Sequence, residues 1–280
     1  MLASMKEMVE EAAGRPRAVP AFNVFGYEDA IAVVRAAERL GAPVMLSTNV
    51  VALAHMPFAV LAPMLLTIAR EASVPVCVHL DHGKDYATVE RAIAFGYPSV
   101  MFDGSQLPLA DNIAETKRIA ALARARGVSF EAEIGSVGYS DPSLGLKHEY
   151  TDPDEAGRFV AETGVDAVAV SIGTVHRMES QGASIDYDRL AAIEARVGAT
   201  PLVLHGSTGV KDEDLRRLVR HRFGKINIGT ALRMAFGRTL REEMEARPSE
   251  FDRIKLFAKP MEAVTAEALR KFEILGWGKE

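Results

Sequence analysis

The stretch VCVHLDHGKD (residues 76–85) decides how the rest of the chain is read. An apolar, β-branched run breaks off in an acid, an imidazole and a glycine: Asp81, His82 and Gly83. One such ending means little by itself. Its meaning depends on whether other strands finish the same way.

Working outward, short β-type runs recur at AVPAFNV (18–24), APVMLST (42–48), VPVCVHLDH (74–82) and SVMFDGS (99–105). They continue at VSFEAEIG (128–135), DAVAVSIGT (166–174), PLVLHGS (201–207) and KINIGT (225–230). Helical patterns lie between them, such as EDAIAVVRAAERLGA (28–42) and ATVERAIAFGY (87–97). Near-continuous apolar strands alternating with amphipathic helices predict a parallel sheet covered on both faces. Eight strands in about 210 residues match an α/β fold of the (β/α)8, or TIM, barrel type. An open doubly wound sheet rarely needs eight strands, and no GxGxxG follows the first one. With no linker or low-complexity tract, residues 1–280 are expected to form a single barrel domain. Extra C-terminal helices are expected at 231–246 and about 261–275.

Composition excludes several classes of function. A formal charge of −5, without a dense basic block, predicts no nucleic acid partner and no anionic membrane partner. The lone cysteine, Cys77, rules out an internal disulfide framework and reads as core packing in a strand. The N-terminal MLASMKEMVEEAAGRPRA is amphipathic and lacks a signal-type apolar region, and no apolar run reaches about 18 residues. The expected location is cytoplasmic.

In a barrel the active site lies at the C-terminal ends of the strands, so the strand endings are the place to look. They supply Asn23; Ser47, Thr48 and Asn49; Asp81 and His82; Asp103 and Ser105. Glu131 and Glu133 share one face of strand five, and Thr174 with His176 ends strand six. His205 to Thr208 end strand seven, and Asn227, Gly229 and Thr230 end strand eight. A lone strand-end histidine is more often a hydrogen-bonded packing residue than a ligand. Three of them, His82, His176 and His205, converging on one mouth form a ligand set for Zn²⁺ or a similar metal. His79, two residues before Asp81, lies one layer deeper and reads as core. Asp81 beside His82 suits a general acid/base, and Glu133 a metal ligand or a partner to a ligating histidine. Glu131 reads equally as a buried acid paired with a lysine. The segments HGSTG (205–209) and NIGT (227–230) are each weak turn signals. Together, after strands seven and eight, they predict a phosphate site.

HLDHG, SVMFDGS, FEAEIG, GTVH, LHGSTG and KINIGT, with the opening AFNVFGYEDAIAVVRAAERLGAPVML, resemble the successive signatures of class II, metal-dependent fructose-bisphosphate and tagatose-bisphosphate aldolases. The likeness runs in order from about residue 20 to 245. It implies a (β/α)8 barrel that is a homodimer or homotetramer. It also implies cleavage of a ketose phosphate to dihydroxyacetone phosphate and an aldehyde through a zinc-stabilised enediolate. His82, His176 and His205 then ligate one Zn²⁺, with Glu133 an alternate or supporting ligand and a monovalent cation an optional companion. Asp81 handles the hydroxyl proton, Asn227 steadies the enediolate, and Gly206, Thr208 and Thr230 grip the phosphate. Asn23, Ser47, Arg177, Ser207 and Gly229 complete the expected substrate contacts.

The chain departs from that pattern in places. The family's second acid is a glutamate on a glycine-rich loop; here GSVGYSDPSLG offers Asp141, which reads equally as the turn-former before Pro142. Arg177 stands where the family has glycine, and no lysine follows a few residues on. Ser207, Thr208 and Gly229 also differ, and the family's arginine for a distal phosphate has no clear match, leaving Arg253 as a stand-in. The alternatives to an aldolase are a catalytically silent sugar-phosphate-binding subunit of a partner enzyme, or another metal-dependent barrel enzyme.

Overall fold

The alternating pattern closes on itself in the computed structural model, which describes residues 1–278; the last two residues of the expected domain, 279–280, lie outside the described residues. The strands are β1 (Val19–Asn23), β2 (Val44–Thr48), β3 (Val76–Gly83), β4 (Ser99–Phe102) and β5 (Ser129–Ile134). They continue as β6 (Gly138–Tyr139), β7 (Ala167–Val170), β8 (Val175–His176), β9 (Leu202–Leu204) and β10 (Phe223–Ile228). Eight of them form a closed barrel in the order β1-β2-β3-β4-β5-β7-β9-β10, every neighbouring pair parallel. The fold is a (β/α)8 barrel.

The two strands outside the barrel matter for the site. β6 and β8 pair in parallel, Tyr139 opposite His176, as a small separate sheet. The sequence places His176 at the end of the sixth barrel strand, but that strand stops at Val170. Gly173 turns the chain away at φ 113, where a Cβ would stand 2.0 Å from the Ser184 carbonyl oxygen. His176 therefore reaches the mouth on a strand of its own.

Period-two alternation sorts each barrel strand into two faces. On β3, Val76, Val78 and Leu80 pack outward into the helix-covered core, while Cys77 turns inward with Met45, Met101, Ala169 and Val203. The N-terminal helix, Met5–Ala13, adds Met5, Met8, Val9 and Ala12 to that inner cluster and closes the base of the barrel. At the other end of the chain, helix Thr230–Ala246 follows β10, and a further helix begins at Arg253 rather than near 261, with Pro260 inside it. Asp252 starts this last helix by accepting from the Ile254 N–H. No helix among the described residues is long and apolar enough to cross a membrane.

Candidate active site

Above the apolar base the barrel interior turns polar. Lys225, fully buried on β10, donates to Glu131 Oε2 at 2.7 Å, and His205 Nε2 lies 3.1 Å from Glu131 Oε1. His79 joins this layer through Ser99 Oγ at 2.7 Å, with its other ring nitrogen 3.4 Å from Lys225 Nζ. Burial works against the charge on Glu131, but Lys225 and the hydrogen bond from His205 hold its pKa down to about 2. Both readings open for Glu131 meet in this layer: it is a buried acid paired with Lys225, and its other oxygen faces His205. Lys225 itself escapes the sequence reading, although period two places it below Asn227 on the same inward face.

The next layer is the imidazole cluster. His82, at φ 49 in the last residues of β3 where the register with β4 shifts, has its Nδ1 2.7 Å from Asp103 Oδ2. Asp103 also accepts from the Ser105 N–H at 3.1 Å and its hydroxyl at 2.6 Å, and pairs with Lys84. Despite burial, these partners keep its carboxyl well below the usual range. An ionised carboxylate only accepts, so His82 must donate from Nδ1, and His205 must donate to Glu131 from Nε2. That leaves His82 Nε2 and His205 Nδ1 as lone pairs facing each other 2.9 Å apart. Two lone pairs at that distance need a cation between them, a proton or a metal.

His176 supplies the third face. Its Nε2 is buried with no partner, and one ring nitrogen from each of the three histidines lies within 4.8 Å of the others. Tetrahedral zinc with nitrogen ligands near 2.0–2.1 Å sets neighbouring nitrogens roughly 3.3 Å apart, so the donor set fits such an ion. Each of His82 and His205 is backed by a carboxylate, the arrangement that fixes tautomer and ring orientation in metal centres. Burial opposes charge on His82, but Asp81 and Asp103 push its pKa up to about 9, while burial and the His82 charge lower His205 and His176. Glu133 forms a second candidate group with His82 and Asp103. Its Oε2 is buried and unpartnered, 3.8 Å from His82 Nδ1, and burial with the Asp103 charge raises its pKa to about 8.

Asp81 stands at the edge of the cluster. Asn23 donates to its Oδ2 at 2.7 Å and Asn227 to its Oδ1 at 2.8 Å. Burial opposes its ionisation, but the charges of His82, His205 and Lys225 hold the carboxyl well below its ordinary value. A carboxylate pinned by two amides beside a cation centre is placed to exchange a proton with a bound hydroxyl.

The mouth cavity gathers most of the residues expected from sequence. Asn23, Asp81, His82, His176 and Asn227 form its inner wall. Arg177, Gly206, Ser207, Thr208, Gly229 and Thr230 border its other side. Gly206, at φ 71, passes so close to Val175 that a Cβ would meet its backbone at 2.8 Å, which lets the turn after His205 tuck under His176. The Thr208 hydroxyl accepts from the Ala231 N–H at 3.3 Å and the Ser207 hydroxyl donates to the Asn227 carbonyl, tying the two turns together.

Five expected residues do not line the cavity. His205 and Glu133 are buried beneath it. Ser47 pairs in register with His79, one layer too deep, and its hydroxyl is buried without a partner. Asp141 is exposed; its Oδ1 accepts from the Ser143 N–H at 2.9 Å and hydroxyl at 2.6 Å, capping the turn Pro142–Leu144. Arg253 reaches Glu28 rather than the mouth. Lys84, Tyr139 and Arg233 line the cavity without having been expected there.

Fold and site together define a (β/α)8 barrel protein with three clustered imidazoles that could hold a metal ion and two glycine- and hydroxyl-bearing turns at its mouth. A family model described as fructose-bisphosphate aldolase class-II matches residues 3–279. A fructose-bisphosphate aldolase of Streptococcus pyogenes is 34% identical over 288 aligned positions, covering 98% of each chain. A probable fructose-bisphosphate aldolase of Bacillus subtilis is 33% identical, again over 98% of each. Among solved structures, the YdjI aldolase from Escherichia coli K12 superposes with a TM-score of 0.88 at 30% identity, covering 99% of this chain and 98% of that one. The chain belongs to the class II fructose-bisphosphate aldolase family. It is an aldolase, a carbon–carbon lyase of carbohydrate metabolism, from a family that is generally metal-dependent and acts on small phosphosugars.

Proposed function

We propose that this chain catalyses reversible, zinc-dependent aldol cleavage of a phosphorylated ketose to dihydroxyacetone phosphate and an aldehyde. The observation that carries the reading is the pair of opposed lone pairs on His82 and His205, with the unpartnered His176 nitrogen beside them. His82, His176 and His205 would hold the Zn²⁺ ion, which would supply Lewis acidity toward the ketose oxygens when bound.

The chain's own residues do the rest. Asp81 takes the proton from the hydroxyl at the bond being cut and returns it to the aldehyde oxygen in the condensation direction. Asn23 and Asn227 hold that carboxylate in line, which fixes the acceptor atom before substrate arrives. Gly206, Thr208 and Thr230 hold the phosphate with turn and helix-start N–H groups. No Schiff base is required: Lys225, the lysine inside the barrel, is engaged by Glu131. A catalytically silent sugar-phosphate-binding subunit has no need of the cation centre together with a poised Asp81, and we favour the enzyme.

The test does not require knowing the aldehyde. Zinc-loaded protein in D₂O should exchange one hydroxymethyl proton of dihydroxyacetone phosphate, followed by NMR, and should release dihydroxyacetone phosphate from at least one member of a ketose phosphate panel. A chelator should stop both. Full exchange in protein shown to be metal-free would overturn the zinc mechanism, and zinc-loaded protein with neither activity would overturn the aldolase assignment.

A further inference from the structure

Two arginines at the mouth lack acidic partners. Arg177 and Arg233 both line the cavity, and neither has a carboxylate within 4.0 Å among the described residues. Lys84, the other cation of the cavity wall, differs: it lies across the mouth after β3 and is neutralised by Asp103.

Arg177 follows directly on His176 at the end of β8. Its backbone sits in the left-handed region at φ 60, a conformation unfavourable for any residue with a Cβ, and its guanidinium stands 5.6 Å from the Tyr139 ring centroid. Arg233 is in the first turn of the helix Thr230–Ala246, with Nη2 3.4 Å from Thr230 Oγ1 and its guanidinium 5.5 Å from the Phe25 ring centroid. Barrel order puts β9 between β7 and β10. The turn Gly206–Thr208, which follows β9, is therefore flanked by Arg177 on one side and Arg233 on the other. Partial desolvation and then the charge of Arg177 lower the pKa of Arg233, against an opposing contribution from Asp29, as expected for two cations held near each other without a direct ion pair. Like charges set together beside backbone N–H groups repel until a multivalent anion lies between them.

We propose that Arg177 and Arg233 are a pair of specificity-determining residues that close on the substrate phosphate from opposite sides of the Gly206–Thr208 turn, fitting this mouth to a phosphate dianion. The inference rests on the aldolase reading of the mouth and deepens it. The fork geometry of guanidinium matches two phosphate oxygens at once, so the pair reads charge and shape together.

The test uses zinc-loaded enzyme with Arg177→Gly, Arg233→Gln and the double variant. Arg177→Gly removes a side chain from a backbone that glycine adopts freely, so its melting temperature should hold or rise, which separates loss of binding from loss of fold. Charge-assisted hydrogen bonds predict that each single variant raises KM for dihydroxyacetone phosphate in the deuterium-exchange assay by roughly 10- to 100-fold, and the double variant by more. The kcat for exchange and the zinc content should stay near wild type. Arg233→Lys should recover part of the loss. Exchange of unphosphorylated dihydroxyacetone should be alike in all variants. An unchanged KM for dihydroxyacetone phosphate in the double variant overturns the proposal. So does a loss confined to ketoses with an acidic far end, which would assign the pair to the aldehyde half. If wild type exchanges nothing, the aldolase reading fails on its own; calorimetric binding of inorganic phosphate, weakened in the double variant or not, still decides the arginines.

Discussion

Below Lys225 the barrel is filled by methionine, alanine and valine side chains and sealed by the helix Met5–Ala13; above it stand Asp81, Asn227 and three histidines. The lower half satisfies packing alone. The upper half holds charges and imidazoles that would be costly in any core without partners. Between them the layer of Lys225, Glu131 and His79 belongs to both halves, because Glu131 touches the lysine below and His205 above. Base and rim should therefore respond to mutation in different currencies, stability against turnover, and this middle layer in both.

The rim gives the largest effect. On the proposed mechanism Asp81→Ala should lower kcat by about 10²–10⁴ while metal content holds, since the carboxylate would move a proton and is not among the three histidine nitrogens that could hold the ion. Metal analysis alongside steady-state kinetics checks it, and loss of zinc in place of slow turnover would make Asp81 a ligand. The middle layer comes second. Lys225→Met takes the buried cation away from a fully buried, charged Glu131, leaving it only the hydrogen bond from His205, which should cost about 3–5 kcal/mol in urea unfolding. Adding Glu131→Gln should recover most of that stability but not the zinc affinity, because the charged acceptor behind His205 is gone. Recovery of both would confine the layer to a structural role.

Smaller again is a pH effect from the same layer. Burial, and then the Lys225 charge, depress the His79 pKa from 6.5 to about 3 in the folded chain. Between those values the unfolded chain binds the extra proton, so stability falls as pH drops through that window, by up to roughly 1.4 kcal/mol per pH unit for one group. Glu131, depressed from 4.5 to about 2, adds a loss of the same sign below its unfolded value. The unfolding free energy of His79→Asn measured at pH 7 and pH 5 should show a flatter dependence than wild type. An equal slope would mean that His79 is not the group responsible.

Much of this contrast is legible in sequence, for reasons that also mark where legibility ends. Period-two strands and helical spacers specify the barrel, and Asp81, His82 and His205 are visible because a strand end must face the mouth. Ser47 shows that a strand end gives direction without depth: register places it level with His79, below the mouth. His176 is visible as a residue, but its carrier strand β8 is not, since only the turn at Gly173 separates it from β7. Lys225 needs the alternation followed downward from Asn227 as well as upward. Arg233 lies in a helix that reads as an outer layer, and only the strand order around the barrel brings it beside Gly206–Thr208.

The exposed loop carries the smallest expected effect and the finest test of the rim. Asp141 is the residue the sequence offers as a second acid, yet both of its hydrogen bonds go to Ser143 and keep its carboxyl below the ordinary value. Asparagine caps turns as well as aspartate does. If the turn is the whole role, Asp141→Asn should leave the deuterium-exchange rate within about threefold of wild type, well short of the 10²–10⁴ typical of a lost proton donor. A fall of a hundredfold or more would instead show that this loop leaves its resting turn to protonate the enediolate carbon, and that the rim extends beyond the barrel strands and the small β6–β8 sheet.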